Sequence, residues 1–227
     1  MDRKTCIFIA GDSTAAQKLP EKKPETGWGE KIVEFFSDKV LFQNFAVNGR
    51  STKSFMDEGK LHKILETICK GDYLFIQFGH NDEKEAPERH TDPYTTYQSN
   101  LTEYIESARK LGATPILLTP IQRRSFDESG IIQETHGEYP AAMKETAEQL
   151  HVPLIDLCGS SKTFFEKLGP EQTKKVFLWV KPGESPNYPE GVQDNTHFCE
   201  HGATEIARLV IQGIKEAQLP LAKFIRE

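Results

Sequence analysis

Short apolar runs at residues 6–10, 41–47, 73–78, 115–119 and 153–156 alternate with longer stretches in which apolar positions recur every three or four residues. Runs of that length predict strands buried on both faces. The longer period predicts amphipathic helices at about 29–36, 60–68, 95–111, 139–150, 162–168 and 203–216. Leu101, Ile105, Ala108 and Leu111 keep one apolar face, and Gly112 follows as the residue that ends such a helix. Strands alternating with helices build β-α units, so the pattern predicts one α/β domain over residues 1–227, a parallel sheet covered by helices on both faces. Two polar stretches with Pro and Gly break the rhythm, 82–92 and 169–195. Long irregular loops are often functional, and the first follows a strand directly, where ligands sit in open parallel sheets.

Composition narrows the class. The 227 residues carry 28 Lys and Arg against 34 Asp and Glu, a formal charge of −6, with no basic run to meet a duplex. This argues against nucleic acid as a partner, because duplex binding depends on clustered cations that displace counterions. No apolar run approaches the roughly 18–20 residues of a membrane span. Met1-Asp2-Arg3-Lys4 leads straight into Cys6–Ala10, too short an apolar region for a secretory signal, so the expected location is the cytoplasm. Cys6, Cys69, Cys158 and Cys199 form no C-x-x-C pair, and no H-E-x-x-H, Walker or dinucleotide motif occurs. The expectation is chemistry without metal or cofactor.

Candidate chemistry collects where strands end. Gly11-Asp12-Ser13 follows the first run and presents the Ser13 hydroxyl as the chain turns. Alone, such a triplet is what any turn or helix cap uses. Far along the chain, Asp194-Asn195-Thr196-His197 places a carboxylate three residues before an imidazole. A serine nucleophile needs a base to take its proton and an acid to orient that base. Asn48-Gly49-Arg50-Ser51 and Gly79-His80-Asn81-Asp82 follow the second and third runs. A glycine N–H and an asparagine amide there are the donors that an alkoxide formed in acyl transfer requires. Arg50, Arg89, Arg123 and Arg124 also follow predicted strands, and Arg forms forked bonds to carboxylates. Trp28, between two glycines, is a candidate for stacking on a sugar, and His201, four residues beyond His197, for the border of the site.

The four blocks resemble those of the SGNH (GDSL) hydrolase superfamily, named for its Ser, Gly, Asn and His, and occur in that superfamily's order. Gly11-Asp12-Ser13-Thr14-Ala15, Gly27-Trp28-Gly29, Asn48-Gly49-Arg50-Ser51, Gly79-His80-Asn81-Asp82, Lys181-Pro182-Gly183-Glu184 and Asp194-Asn195-Thr196-His197-Phe198 resemble the rhamnogalacturonan acetylesterase branch. The resemblance implies a three-layer α/β/α fold with a five-stranded flavodoxin-like sheet in the order 2-1-3-4-5. It implies Ser13 as nucleophile, Asp194 and His197 as the other triad members, and Ser13, Gly49 and Asn81 as the oxyanion hole. The implied reaction is removal of acetyl groups from a pectic oligosaccharide through an acetyl-enzyme. Trp28, Arg50, Arg89, Arg123 and His201 are then the candidate substrate contacts. The alternatives are an esterase for other acetylated sugars such as xylan, and a silent carbohydrate-binding protein on the same fold.

Overall fold

The computed structural model describes residues 3–226, so Met1 and Asp2, where the leader reading begins, and Glu227 lie outside the described residues. Five strands, β1 (Thr5–Gly11), β2 (Val40–Asn44), β3 (Tyr73–Gln77), β4 (Thr114–Leu118) and β5 (Leu154–Ile155), form a parallel sheet in the order β2-β1-β3-β4-β5. Alternate residues of each strand face opposite sides, and two separate apolar clusters follow from that period. Ile7, Ile9, Phe75, Ile116 and Leu118 pack on one side beneath α1 (Trp28–Lys31), α6 (Leu157–Thr173) and α7 (Glu200–Glu216). Phe8, Ala10, Leu74, Ile76 and Leu117 pack on the other beneath α2 (Thr52–Asp57), α3 (Lys60–Leu65), α4 (Gln98–Lys110) and α5 (Tyr139–Gln149). The three-layer architecture and strand order agree with the reading of the sequence. No described helix is long and apolar enough to cross a membrane.

Local differences have local causes. The helix expected at 29–36 is one α turn followed by the 3-10 turn Ile32–Phe35. The helix expected from residue 60 is preceded by α2, which Ser51 caps by accepting the Ser54 N–H. The 169–195 stretch is not one irregular loop. α6 runs into it, kinked at Gly169-Pro170, and an antiparallel pair follows, β6 (Phe177–Val180) and β7 (Val192–Phe198). Phe177 opposes Phe198 and Trp179 opposes Gln193, so residues 194–197 bulge out of the ladder. Phe177 and Phe198 stack at 5.3 Å in the core, anchoring the strand whose bulge carries Asp194 and His197.

Candidate active site

Strand order decides which loops meet. Because β1 lies between β2 and β3, the turn after β1 sits between the turns that follow its two neighbours. Ser13, Gly49 and the His80-Asn81 pair therefore converge at one sheet edge, at the point where the strand order reverses direction. β7 reaches the same place because the Thr26 N–H donates to Phe198 O at 2.9 Å, tying the bulge to the loop before α1. There His197 Nε2 lies 2.9 Å from Ser13 Oγ, and His197 Nδ1 lies 2.7 Å from Asp194 Oδ2. Asp194 Oδ1 also accepts the N–H groups of Thr196 and His197. Burial opposes ionisation of this carboxyl, but the His197 ring and those two N–H groups outweigh it and bring its pKa down to about 2.

The oxyanion donors predicted from sequence are also assembled. Gly49 has a φ of +76°, a left-handed conformation that glycine adopts without strain. Among the described residues, no acceptor takes the N–H of Ser13 or of Gly49. Asn81 Nδ2 donates to Arg50 O at 3.0 Å, which fixes the amide and leaves its second N–H free. Together these groups line a cleft of about 380 Å³ whose wall also includes Lys22, Glu25, Lys84, Arg123 and Thr196, with no apolar side chain.

Beneath Ser13 lies a buried polar network. Asp12 Oδ1 accepts the Thr14 N–H at 2.8 Å and the Thr14 hydroxyl at 2.7 Å, while Gln77 Nε2 reaches Asp12 Oδ2 at 3.4 Å. Burial would raise the Asp12 pKa, but nearby His80 and the Thr14 donors hold it below its ordinary value. His80 Nδ1 stands 3.3 Å from Asp12 Oδ2, yet burial dominates and lowers the imidazole to about 4. Asp82 is the contrasting case: burial raises it to about 7, with Oδ1 facing the Thr52 and Thr91 donors and Oδ2 unpartnered.

The structure corrects several expected substrate contacts. Trp28 is completely buried and its Nε1 donates to Gln77 Oε1 at 3.2 Å, so no ring face meets a sugar. The flanking glycines have a packing reason: a Cβ on Gly27 would fall 2.2 Å from Ala16 O, and one on Gly29 2.4 Å from Ala15 O. His201 is exposed on the first turn of α7 and is not among the residues lining the cleft. Arg50 is held by a fork on Glu58 and a bond to Asn48 O, outside the main cleft. Arg123 lines the cleft but is engaged by Glu83 and Thr135. Arg124 stacks 4.9 Å from the Trp179 ring and donates to Pro170 O. Arg89 lines an adjoining hollow with Gly49.

Lys18 was not legible as part of the site, since a lysine in a polar loop usually reads as a solvated charge. Its side chain is 1% exposed, and Nζ touches Ser13 O at 2.6 Å, Asn48 Oδ1 at 2.7 Å and Glu25 Oε1 at 2.7 Å. One ammonium therefore pins the Ser13 backbone to the residue before Gly49. Removing one member of a buried pair leaves the other charge uncompensated, at a cost of about 3–5 kcal/mol. Lys18→Met is expected to lose stability on that scale in chemical denaturation, and Lys18→Met with Glu25→Leu to recover part of it. An unchanged denaturation midpoint in the single variant would show that the ammonium does not brace the site.

The chain matches the GDSL-like Lipase/Acylhydrolase family over residues 7–210, and it belongs to that family of ester hydrolases. It is 50% identical over 221 residues to the rhamnogalacturonan acetylesterase RhgT of Bacillus subtilis, covering 97% of this chain and 94% of that protein. It is 26% identical to a rhamnogalacturonan acetylesterase of Emericella nidulans, over 92% of this chain and 84% of the other. Among solved structures, protein YxiM of Bacillus subtilis superimposes with a TM-score of 0.82 at 28% identity, covering 96% of this chain and 58% of that one. An acetylxylan esterase of Geobacillus stearothermophilus shares the fold, with a TM-score of 0.66 at 17% identity over 92% of this chain and 94% of the other.

Proposed function

We propose that this chain is a serine acetylesterase that removes acetyl groups from pectic oligosaccharides of the rhamnogalacturonan type. The observation that carries the chemistry is the continuous line from Ser13 Oγ through the His197 ring to Asp194, beside unused N–H donors. His197 Nε2 takes the Ser13 proton as Oγ attacks the acetyl carbonyl carbon, and Asp194 stabilises the imidazolium that results. The carbonyl oxygen becomes an alkoxide held by the Ser13 and Gly49 N–H groups and the Asn81 amide, each such donor worth about 3–4 kcal/mol of barrier. As the tetrahedral species collapses, the sugar oxygen leaves with the proton from His197 and the acetyl group stays on Ser13. Water, deprotonated by the same imidazole, then releases acetate and restores the serine.

The cleft wall supports a short acyl group on a polar leaving group. Holding a longer chain would draw on about 0.8 kcal/mol for each buried methylene, and no apolar side chain lines the cleft to receive one. Lys22, Lys84 and Arg123 give the mouth positive charge within a chain of net charge −6, which suits an acidic polysaccharide. The named acetylesterase relatives support the same substrate class. We expect faster acetate release from acetylated rhamnogalacturonan oligosaccharides than from acetylated xylooligosaccharides, and faster hydrolysis of 4-nitrophenyl acetate than of the octanoate. A preference for xylan would overturn the substrate, and a preference for octanoate the reading of the cleft.

A further inference from the structure

Gly49 belongs to two hollows at once. On one side it lines the cleft with Ser13; on the other it lines a neighbouring hollow of about 300 Å³, with Arg50, Ser54, Glu58, Glu88 and Arg89. The guanidinium of Arg89 lies close to this shared glycine, with Nη1 3.9 Å from the point a Cβ on Gly49 would occupy. A group bound to Arg89 is therefore next to the oxyanion donors, on a wall that Gly49 keeps free of side-chain atoms.

The hydrogen bonding of the four arginines separates Arg89 from the rest. Arg50 uses Nε and Nη2 on Glu58 and Nη1 on Asn48 O. Arg123 is taken up by Glu83 and Thr135, and the two Nη of Arg124 by Asn195 and Pro170, although its Nε has no partner. Arg89 Nε is buried and has no hydrogen-bond partner, and among the described residues no acceptor bonds either Nη. Its one ion pair, with Glu88 at 3.6 Å from Nε, is beyond hydrogen-bond range, and Glu88 is 68% exposed. Glu58, which lines the same hollow, is already paired with Arg50, which lowers its pKa, and with Lys60. The Arg89 guanidinium thus lines the hollow with no hydrogen bond to the protein, its one ionic contact the exposed Glu88.

Resting on the acetylesterase reading, we propose that Arg89 and the hollow beside Gly49 form a subsite for a carboxylate of the substrate, one uronate sugar adjacent to or bearing the acetyl group. A planar guanidinium matches a carboxylate through two parallel N–H···O bonds, which orients the sugar as well as attracting it. The lysines at the cleft mouth supply diffuse attraction, whereas a fork at Arg89 reads the position of one acid group relative to the ester. The subsite makes the enzyme selective for acetyl groups at a set distance from a uronate.

The test compares one acetylated galacturonate-containing oligosaccharide with the same oligosaccharide methyl-esterified at its carboxyls, scoring released acetate. Wild type is expected to favour the free acid in kcat/KM by tenfold or more. Arg89→Gln is expected to bring that ratio close to one, with the loss mainly in KM. Arg89→Lys, which keeps the charge and loses the fork, is expected to retain part of the ratio. A ratio unchanged in Arg89→Gln overturns the subsite, as does a wild-type ratio of one with both substrates turned over; in either case the acetylesterase reading stands. If wild type hydrolyses 4-nitrophenyl acetate but neither oligosaccharide, the pectic reading falls and the subsite with it.

Discussion

Ser13→Ala is expected to lower acetate release by on the order of a million-fold, the scale seen when a serine nucleophile that acts as a unit with its base is removed. The fold should be indifferent to the change. Ser13 Oγ is partnered by His197 alone, while Lys18 holds the serine through its backbone carbonyl, which alanine retains. Circular dichroism and the thermal midpoint should stay close to wild type while the steady-state rate disappears. A fluorophosphonate should label the wild type once per chain at Ser13 and leave the variant unlabelled, which also separates an esterase from a silent sugar binder. A variant within tenfold of the wild-type rate would overturn Ser13 as the nucleophile.

Asp194→Asn should cost about 10⁴ in kcat, although the asparagine fills the same volume. Asp194 Oδ1 takes two backbone N–H groups, so Oδ2 is left to face His197 Nδ1 at 2.7 Å. With an amide nitrogen at that position, Nδ1 must become the acceptor and the ring proton moves to Nε2. Nε2 then points a proton at Ser13 and cannot take one. The substitution also removes an acid-side linkage. Folding lowers the Asp194 pKa from 3.8 to about 2, so its contribution to stability is complete above the ordinary carboxylate value and is lost as pH falls through about 2. Acid unfolding profiles of wild type and variant should therefore differ between about pH 4 and 2 and run parallel above. Equal kcat in the two proteins would show that the carboxylate does not set the tautomer.

Much of the site could be read without coordinates because its residues lie within a few positions of strand ends. Ser13, Gly49 and Asn81 each follow an apolar run, and a polar glycine turn at a parallel strand's end has one location in such a fold. Asp194 and His197 were legible through their mutual spacing, although their setting was not: the residues around them are polar, and the ladder bulges where they sit, so strand alternation is lost. Substrate contacts were the least legible. Trp28 has the residue type for stacking but is buried and bonded to Gln77, with its flanking glycines packed on the backbone at Ala15 and Ala16. Four arginines looked alike in the chain, and only their partners distinguish the engaged three from Arg89.

The sequence by itself determined the α/β class, the five strands and the candidate reacting groups, because strand period, turn chemistry and motif spacing are properties of neighbouring residues. Tertiary structure alone decided that the turn after β1 brings Ser13 between Gly49 and Asn81, and that a hairpin returns His197 to Ser13 across 184 positions of chain. It also decided that Lys18 is buried against Ser13 and Glu25, and that Arg89 is left without a hydrogen-bond partner beside Gly49. Burial and hydrogen-bond partnership are set by residues distant in sequence, and a charged side chain has no local pattern that distinguishes a solvated face from a binding site.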